Sequence, residues 1–331
     1  MGCLHPLRRW VIGVNQDGSE IAKVTGIDKS AVRKMGGKGV QTKYTEIPCG
    51  NCINCRLEYA KTWAMRCILE AKNYENNEML TLTYNDENVP KVKGVNLKTG
   101  ELEEHETLVK KDVQDFLKRL RKNTGQNFRY FMCGEYGAEN NRPHYHLIMY
   151  NFKVEDKEVH HINKKGNKQY TSQSIEKIWG KGYISLCPVT YETCEYVARY
   201  VIKKQKGPTA KEQYLDRNQE PEYTCMSRRP GIANDYFENL KEGEYEKKKI
   251  WIQTSQALKK CKPSRYFDKL FEKYNPQEMA RIKQERKKIQ ERRLATILAQ
   301  TDLNREEYLK VQEINALDRL KQTRIYENTG C

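Results

Sequence analysis

The chain has 331 residues, and its 60 Lys and Arg against 44 Asp and Glu leave a formal net charge of +16. Hydrophobic residues at 37% still permit a core, and 21 Tyr with 7 Phe supply aromatic bulk that disordered tails lack. The apolar run Trp10-Val11-Ile12-Gly13-Val14 is too short for a bilayer span or a secretory leader, and 11 Cys without scaffold spacing argue against a disulfide-stapled exported fold. A soluble, unexported chain is therefore expected, with no membrane partner and an excess of positive charge that favours a polyanion such as nucleic acid.

Residues 1 to 48, rich in Gly, Lys and Asp with a break at Gly36-Gly37-Lys38-Gly39, predict irregular structure around a short strand or two. Cys49-Gly50-Asn51-Cys52-Ile53-Asn54-Cys55 then opens a helical pattern that runs to about Tyr74. From there the periodicity alternates between two and 3.6. Strand Met79 to Tyr84 is followed by helix Leu108 to Lys122, where Val109, Val113, Phe116, Leu117 and Leu120 form one apolar stripe. Strands Phe128 to Glu135 and His144 to Phe152 flank a loop with Gly137 and Pro143. After a polar insertion over 153 to 171 come helix Ser172 to Trp179, strand Gly182 to Cys187 and helix Tyr191 to Lys204.

The order β-α-β-β-α-β-α gives an α+β class: an antiparallel sheet with helices on one side, in a ferredoxin-like or RRM-like palm. Beyond Gly207 the chain becomes loop-like and basic around Ser227-Arg228-Arg229-Pro230-Gly231, and from Pro276 it is helical. In that tail Tyr308, Val311, Ile314, Leu317 and Leu320 recur every third residue, a stripe expected to pack on the body or on another helix. The expected segments are an N-terminal Cys-containing segment with its helix (1–78), a core (79–206), a basic loop-rich stretch (207–263) and a helical basic extension (264–331).

His144 and His146 begin one strand and, at i and i+2, project from the same face about two rises of 3.3 Å apart, close enough to share one metal ion. If the strands on either side of residues 136 to 143 pair as a hairpin, Glu135 lies directly across from His144. Two imidazoles and a carboxylate would then converge and accept Mg²⁺ or Mn²⁺, with positions left open for phosphate oxygens. In the helix from Tyr191, Cys194, Val197, Ala198, Val201 and Ile202 share an apolar arc, while Tyr196, Arg199, Tyr200 and Lys203 fall opposite. Tyrosines placed for packing alone would sit on the apolar arc. Two phenols one turn apart beside a cation can serve as nucleophiles, with Lys203 stabilising developing negative charge.

Leu80-Thr81-Leu82-Thr83-Tyr84, Gly134-Glu135-Tyr136-Gly137 leading to Arg142-Pro143-His144-Tyr145-His146, and Tyr196-x-x-x-Tyr200-x-x-Lys203 resemble, in order and spacing, the three motifs of HUH endonucleases in rolling-circle initiators. More narrowly, the chain resembles the replication initiators of the Microviridae, in their gokushovirus branch, over roughly residues 1 to 240. Cys3-Leu4-His5-Pro6, the cysteine block, Trp179-Gly180-Lys181-Gly182 and Met226-Ser227-Arg228-Arg229-Pro230-Gly231 add to the likeness. The resemblance implies an HUH endonuclease palm that nicks and rejoins single-stranded DNA at a phage origin through a 5′-phosphotyrosine. His144, His146 and Glu135 would hold the divalent cation, and Tyr196 and Tyr200 would alternate as nucleophiles. Tyr145 occupies the hydrophobic position between the histidines. The implied partners are single-stranded DNA, origin duplex and the host helicase and polymerase, and the implied place is the bacterial host cytoplasm. No G-x-x-x-x-G-K-[ST] loop occurs, so unwinding is expected from a host helicase.

Cys49, Cys52 and Cys55 gather three thiols. They are either free thiols at a helix N-terminus or a structural Zn²⁺ site completed by Cys3 or His5; iron–sulfur ligation is disfavoured because Tyr59 takes the fourth cysteine position. Lys110, Lys111, Lys118, Arg119, Arg121 and Lys122 crowd one helix, which with exposed tyrosines could form a phosphate track. Two readings compete with the nickase: a non-enzymatic, zinc-stabilised nucleic-acid-binding protein, and a structural or packaging protein of a particle.

Overall fold

The structure, a computed structural model, describes residues 2–17, 20–26, 44–96, 99–137, 140–162, 166, 168–203, 210–240, 245 and 250–322. The side chains of 200–203, 211–213 and 320–322 lie outside the described set, as does the expected break at Gly36–Gly39. Two compact units are present: one combines Met1–Tyr59 with Ile289–Arg324, and the other is built on Ala60–Lys288.

In the first unit β1 (Leu7–Val14) pairs antiparallel with β2 (Glu20–Thr25) on one side and β3 (Tyr44–Ile47) on the other. This small sheet is more regular than the composition of residues 1 to 48 suggests. Trp10 is its buried anchor: the indole N–H donates to Thr25 Oγ1 at 3.0 Å, and the ring lies 5.1 Å from that of Tyr44. Helix α1 (Ile53–Ala71) starts here and ends in the second unit.

The second unit keeps the expected β-α-β-β-α-β-α order and adds two hairpins to it: β4 (Asn77–Tyr84), the added hairpin β5 (Lys91–Val95) and β6 (Leu102–Glu106), α2 (Lys110–Thr124), β7 (Arg129–Tyr136), β8 (Pro143–Tyr150), the added hairpin β9 (Glu158–Ile162) and β10 (Lys168–Thr171), α3 (Gln173–Trp179), β11 (Gly182–Pro188) and α4 (Tyr191–Lys203). A π-helical turn (Lys211–Asp216), β12 (Tyr223–Met226), α5 (Asn234–Glu238), hairpin β13 (Ile250–Gln253) and β14 (Leu258–Cys261), α6 (Arg265–Tyr274), α7 (Pro276–Leu298) and α8 (Arg305–Gln322) complete the described chain. The main sheet runs β12-β7-β8-β4-β11-β10-β9, with every neighbouring pair antiparallel. Its centre, β7-β8-β4-β11, has the strand order of a ferredoxin-like palm. The insertion over 153 to 171 extends this sheet as β9 and β10, and the basic stretch supplies the edge strand β12.

Helices cover both faces of the sheet, not one. On the first face Leu80, Leu82, Tyr84, Tyr145, Leu147 and Met149 meet Val113, Phe116, Leu117 and Leu120 of α2 and Ile175 and Trp179 of α3. The α2 stripe is therefore buried as its spacing predicts, and Gly125, at φ 66°, ends the helix by donating its N–H to Arg121 O. At its start, Val109 N–H donates to Tyr145 Oη at 2.7 Å, a tertiary partner in place of a side-chain cap. The second face is covered by the C-terminal part of α1 and by α4. Trp63 packs on Phe131 at 5.0 Å, and Arg129 pairs with Glu70 at 2.5 Å.

The α8 stripe does not pack as expected: Val311, Ile314 and Leu317 are 40%, 59% and 44% exposed, and Ala316 is buried instead. A step of three residues turns about 300°, so a strict every-third pattern winds around a helix rather than holding one face. Leu320 has its side chain outside the described residues.

Candidate active site

The second face carries the histidines. Register in β7 and β8 pairs Glu135 with His144 and Cys133 with His146, while β4 sets Thr83 beside His144 and Thr81 beside His146. Alternation along β8 thus sends Tyr145 into the opposite core and both imidazoles to one side. The two rings are nearly parallel (4°) with centroids 6.4 Å apart, close to the two-rise spacing expected.

Hydrogen-bond geometry fixes the chemistry of each ring. His144 Nδ1 lies 2.6 Å from Arg142 O, and a carbonyl can only accept; Nδ1 carries the proton and Nε2 keeps a lone pair. Burial, then the neighbouring His146, hold the His144 imidazole below the ordinary histidine value, which favours the neutral, ligating form. His146 Nε2 lies 2.9 Å from Glu135 Oε1 and its Nδ1 2.9 Å from Thr81 Oγ1. The Glu135 carboxylate accepts from His146 Nε2–H, which leaves Nδ1 to accept from the Thr81 hydroxyl. His146 and Glu135 are 5% and 4% exposed, so a proton links two groups that solvent barely reaches. A cation could take the place of that proton, between nitrogen and carboxylate. The three ligand atoms are not yet gathered into a cage; among the described residues the four sulfurs of Cys3, Cys49, Cys52 and Cys55 are the group already within 4.8 Å of one another.

Helix α4 approaches on this same face. Cys194, Val197 and Ala198 are fully buried, as their arc predicts, and Arg199 pairs with Glu195 at 2.9 Å. The Tyr196 ring meets His146 edge to face, centroids 5.2 Å apart at 80°. Tyr200 and Lys203 belong to α4, but their side chains lie outside the described residues.

Glycine explains part of the motif around Glu135. A Cβ on Gly134 would come within 3.0 Å of the Tyr223 ring and 3.1 Å of Leu108, and one on Gly137 within 3.2 Å of the His144 ring. Both positions are tight, so a side chain at Gly134, in β7, or at Gly137, just after it, would require these neighbours to shift by a few tenths of an ångström.

Two expected contributors stand elsewhere. The basic helix α2 covers the face opposite the histidines, and most of its cations are engaged: Lys110 with Glu220, Lys111 and Lys118 with Asp115, Arg119 with the carbonyls of Ile178 and Trp179, and Arg121 with Phe128. It does not line the site. Thr81, which the sequence reading did not single out, does; its signal is the Leu-Thr-Leu-Thr alternation of β4, which puts a hydroxyl on the histidine face.

The profile of the family described as replication-associated protein ORF2/G2P matches residues 77–205, from the first residue of β4 to just past α4. The replication-associated protein ORF2 of Spiroplasma virus 4 is 33% identical over 251 residues, which make up 75% of this chain and 75% of that protein. The chain belongs to the phage replication-associated proteins. Similarity extends to the replication-associated protein VP4 of Bdellovibrio phage phiMH2K, 31% identical over 206 residues (62% of this chain, 58% of that one). It extends also to the replication-associated protein ORF4 of Chlamydia phage 1, 29% identical over 166 residues (48% and 38%). The likeness to Microviridae initiators is borne out, and with it a role in starting phage DNA replication. No solved structure matches the chain, and no helix of the described residues is long and apolar enough to cross a membrane.

Proposed function

We propose that this initiator nicks and rejoins single-stranded DNA at a phage origin by metal-assisted transesterification through a 5′-phosphotyrosine, inside the bacterial host. The observation that carries the proposal is the Glu135–His146 pair on a sheet face against which the Tyr196 ring is packed. The donor set suits a divalent ion: a lone pair on His144, a second imidazole and a buried carboxylate. Mg²⁺ or Mn²⁺ held there would act as a Lewis acid toward the scissile phosphate.

The chain's own part is nucleophile and positioning. A tyrosine oxygen, from Tyr196 or Tyr200, bonds to phosphorus as the bond to the 3′-oxygen breaks; that oxygen leaves, gains a proton and becomes a 3′-OH able to prime synthesis. Lys203, one turn beyond Tyr200, would steady the developing charge. One phosphodiester replaces another, so the step needs no nucleotide hydrolysis and runs backwards to reseal ends. Two tyrosines one turn apart let one cleave a regenerated origin while the other still holds the old end. Unwinding and synthesis would fall to the host helicase and polymerase.

Incubation with origin single-stranded DNA and Mn²⁺ should give a covalent adduct on a denaturing gel, absent from the Tyr196→Phe, Tyr200→Phe double variant. An adduct that persisted in the double variant would overturn the assignment. Absence of any adduct in the wild type would favour the non-enzymatic nucleic-acid-binding reading.

A further inference from the structure

We propose that Cys3, Cys49, Cys52 and Cys55 form a closed structural Zn²⁺ site that holds the N-terminal segment onto the start of α1. Their four sulfurs lie within 4.8 Å of one another. Cys3 Sγ and Cys52 Sγ are 3.9 Å apart, and Cys49 Sγ and Cys55 Sγ 4.0 Å. Those separations are near the roughly 3.8 Å edge of a tetrahedron with Zn–S bonds of about 2.3 Å. They are about twice a disulfide's S–S length of roughly 2.05 Å, and all four are free thiols. A cubane iron–sulfur cluster, which bridges several irons, would spread its ligands much further apart than a single ion does.

Backbone donors complete the geometry. The N–H groups of Asn51 and Cys52 point at Cys49 Sγ (3.4 and 3.2 Å), that of Cys49 at Cys3 Sγ (3.2 Å) and that of Leu4 at Cys52 Sγ (3.4 Å). Such donors, with the positive end of α1, favour sulfur as a metal-bound anion. Gly50, at φ +75°, makes the tight turn between Cys49 and Cys52. The choice left open by the sequence resolves in favour of Cys3, since His5 Nε2 turns instead to Glu313 Oε1 at 2.8 Å. Asn54 Nδ2 adds a clamp on Gly2 O at 3.1 Å.

The surrounding unit gives the site its purpose. In the sheet of β1, β2 and β3, Ile12, Val14, Ile21, Val24 and Tyr44 remain exposed, and the buried apolar side chains among the described residues before Cys52 are Leu4, Pro6 and Trp10. So thin a core is commonly reinforced by a metal or a cross-link.

The test uses the full chain, purified without a polyhistidine tag, chelator or added metal. Elemental analysis should find one zinc per chain, with X-ray absorption showing four sulfur neighbours at about 2.3 Å. Cys3→Ser and Cys52→Ser should lose the zinc, whereas Cys225→Ser, on β12, should keep it. If the ligand variants fail to fold, thiol titration of the wild type with a mercurial decides: zinc should leave in step with four thiols. Removing the metal should also speed proteolysis before Tyr59. Zinc below about a tenth of an equivalent, iron with acid-labile sulfide, nitrogen or oxygen among the neighbours, or full zinc in folded Cys3→Ser would each overturn the proposal.

Discussion

Thr81 sets the orientation of His146 from behind, since its hydroxyl is the partner of Nδ1 while Nε2 faces Glu135. Losing such an outer partner commonly costs 10–100-fold in metal affinity. Thr81→Val, nearly the same in volume, should therefore raise the Mg²⁺ needed for half-maximal nicking by about that factor, with melting temperature almost unchanged; an unshifted Mg²⁺ titration would count against this role. Tyr145, between the histidines, makes the opposite prediction. Its hydroxyl accepts from Val109 N–H and meets Tyr84 Oη at 2.9 Å, away from the site. Tyr145→Phe leaves a buried donor unpaired and should cost about 1–3 kcal/mol in urea unfolding, while adduct formation per folded molecule stays at the wild-type level. The histidine pair and Glu135 were legible from alternation and a hairpin register. For Thr81 the alternation of β4 gives the face, but not the partner, because that depends on which strand lies beside β8, and pairing across a crossover leaves no local mark.

Elements with a strong period or a stop signal read correctly from sequence, and those without one did not. The α2 stripe and the Ser172 cap, whose Oγ accepts from Ile175 N–H at 3.2 Å, are of the first kind. Strand β9, exposed at every residue, and β12, half-buried at every residue, carry no alternation and gain their order only by pairing with a neighbour. Coverage of the sheet's second face was equally hidden, because α1 and α4 are separated by most of the palm. The turn Trp179-Gly180-Lys181-Gly182 is a local feature with a sharp consequence. Gly182 has φ +147°, and a Cβ there would lie 2.4 Å from Asn85 N and Thr83 O. Gly182→Ala should lower stability by more than the roughly 1–3 kcal/mol of backbone strain alone, read as a drop in melting temperature, whereas Gly100→Ala, with open space around its Cβ, should cost less. The place of α2 gives a negative prediction. Lys111 and Lys118 share Asp115 on the face away from the histidines, so Lys111→Gln with Lys118→Gln should change single-stranded DNA affinity about twofold or less; a large loss would put the DNA path over that helix.

At the scale of the whole molecule, a formal charge of +16 makes salt-dependent binding to DNA the expectation, but where the charge acts depends on which cations are uncommitted. The turn after β12 presents Arg228 and Arg229 exposed to solvent on a backbone that buried groups hold still. Arg66 Nη2 donates to Ile232 O at 2.8 Å, Arg129 Nη2 to Pro230 O at 2.8 Å, and Ala233 N–H to Glu70 Oε2 at 2.5 Å. A backbone held in this way spares its own share of the ordering cost when the two guanidinium groups meet phosphates. For single strands the logarithm of the binding constant falls against the logarithm of salt with a slope of about −0.7 per phosphate contact. If both arginines touch the backbone, Arg228→Gln with Arg229→Gln should make that slope shallower by about 1.4, to a similar extent for origin and unrelated sequences. Fluorescence anisotropy over a salt series measures it directly. An unchanged slope would mean that this turn faces away from the nucleic acid, and the charge that holds the strand would have to be sought in other parts of the chain.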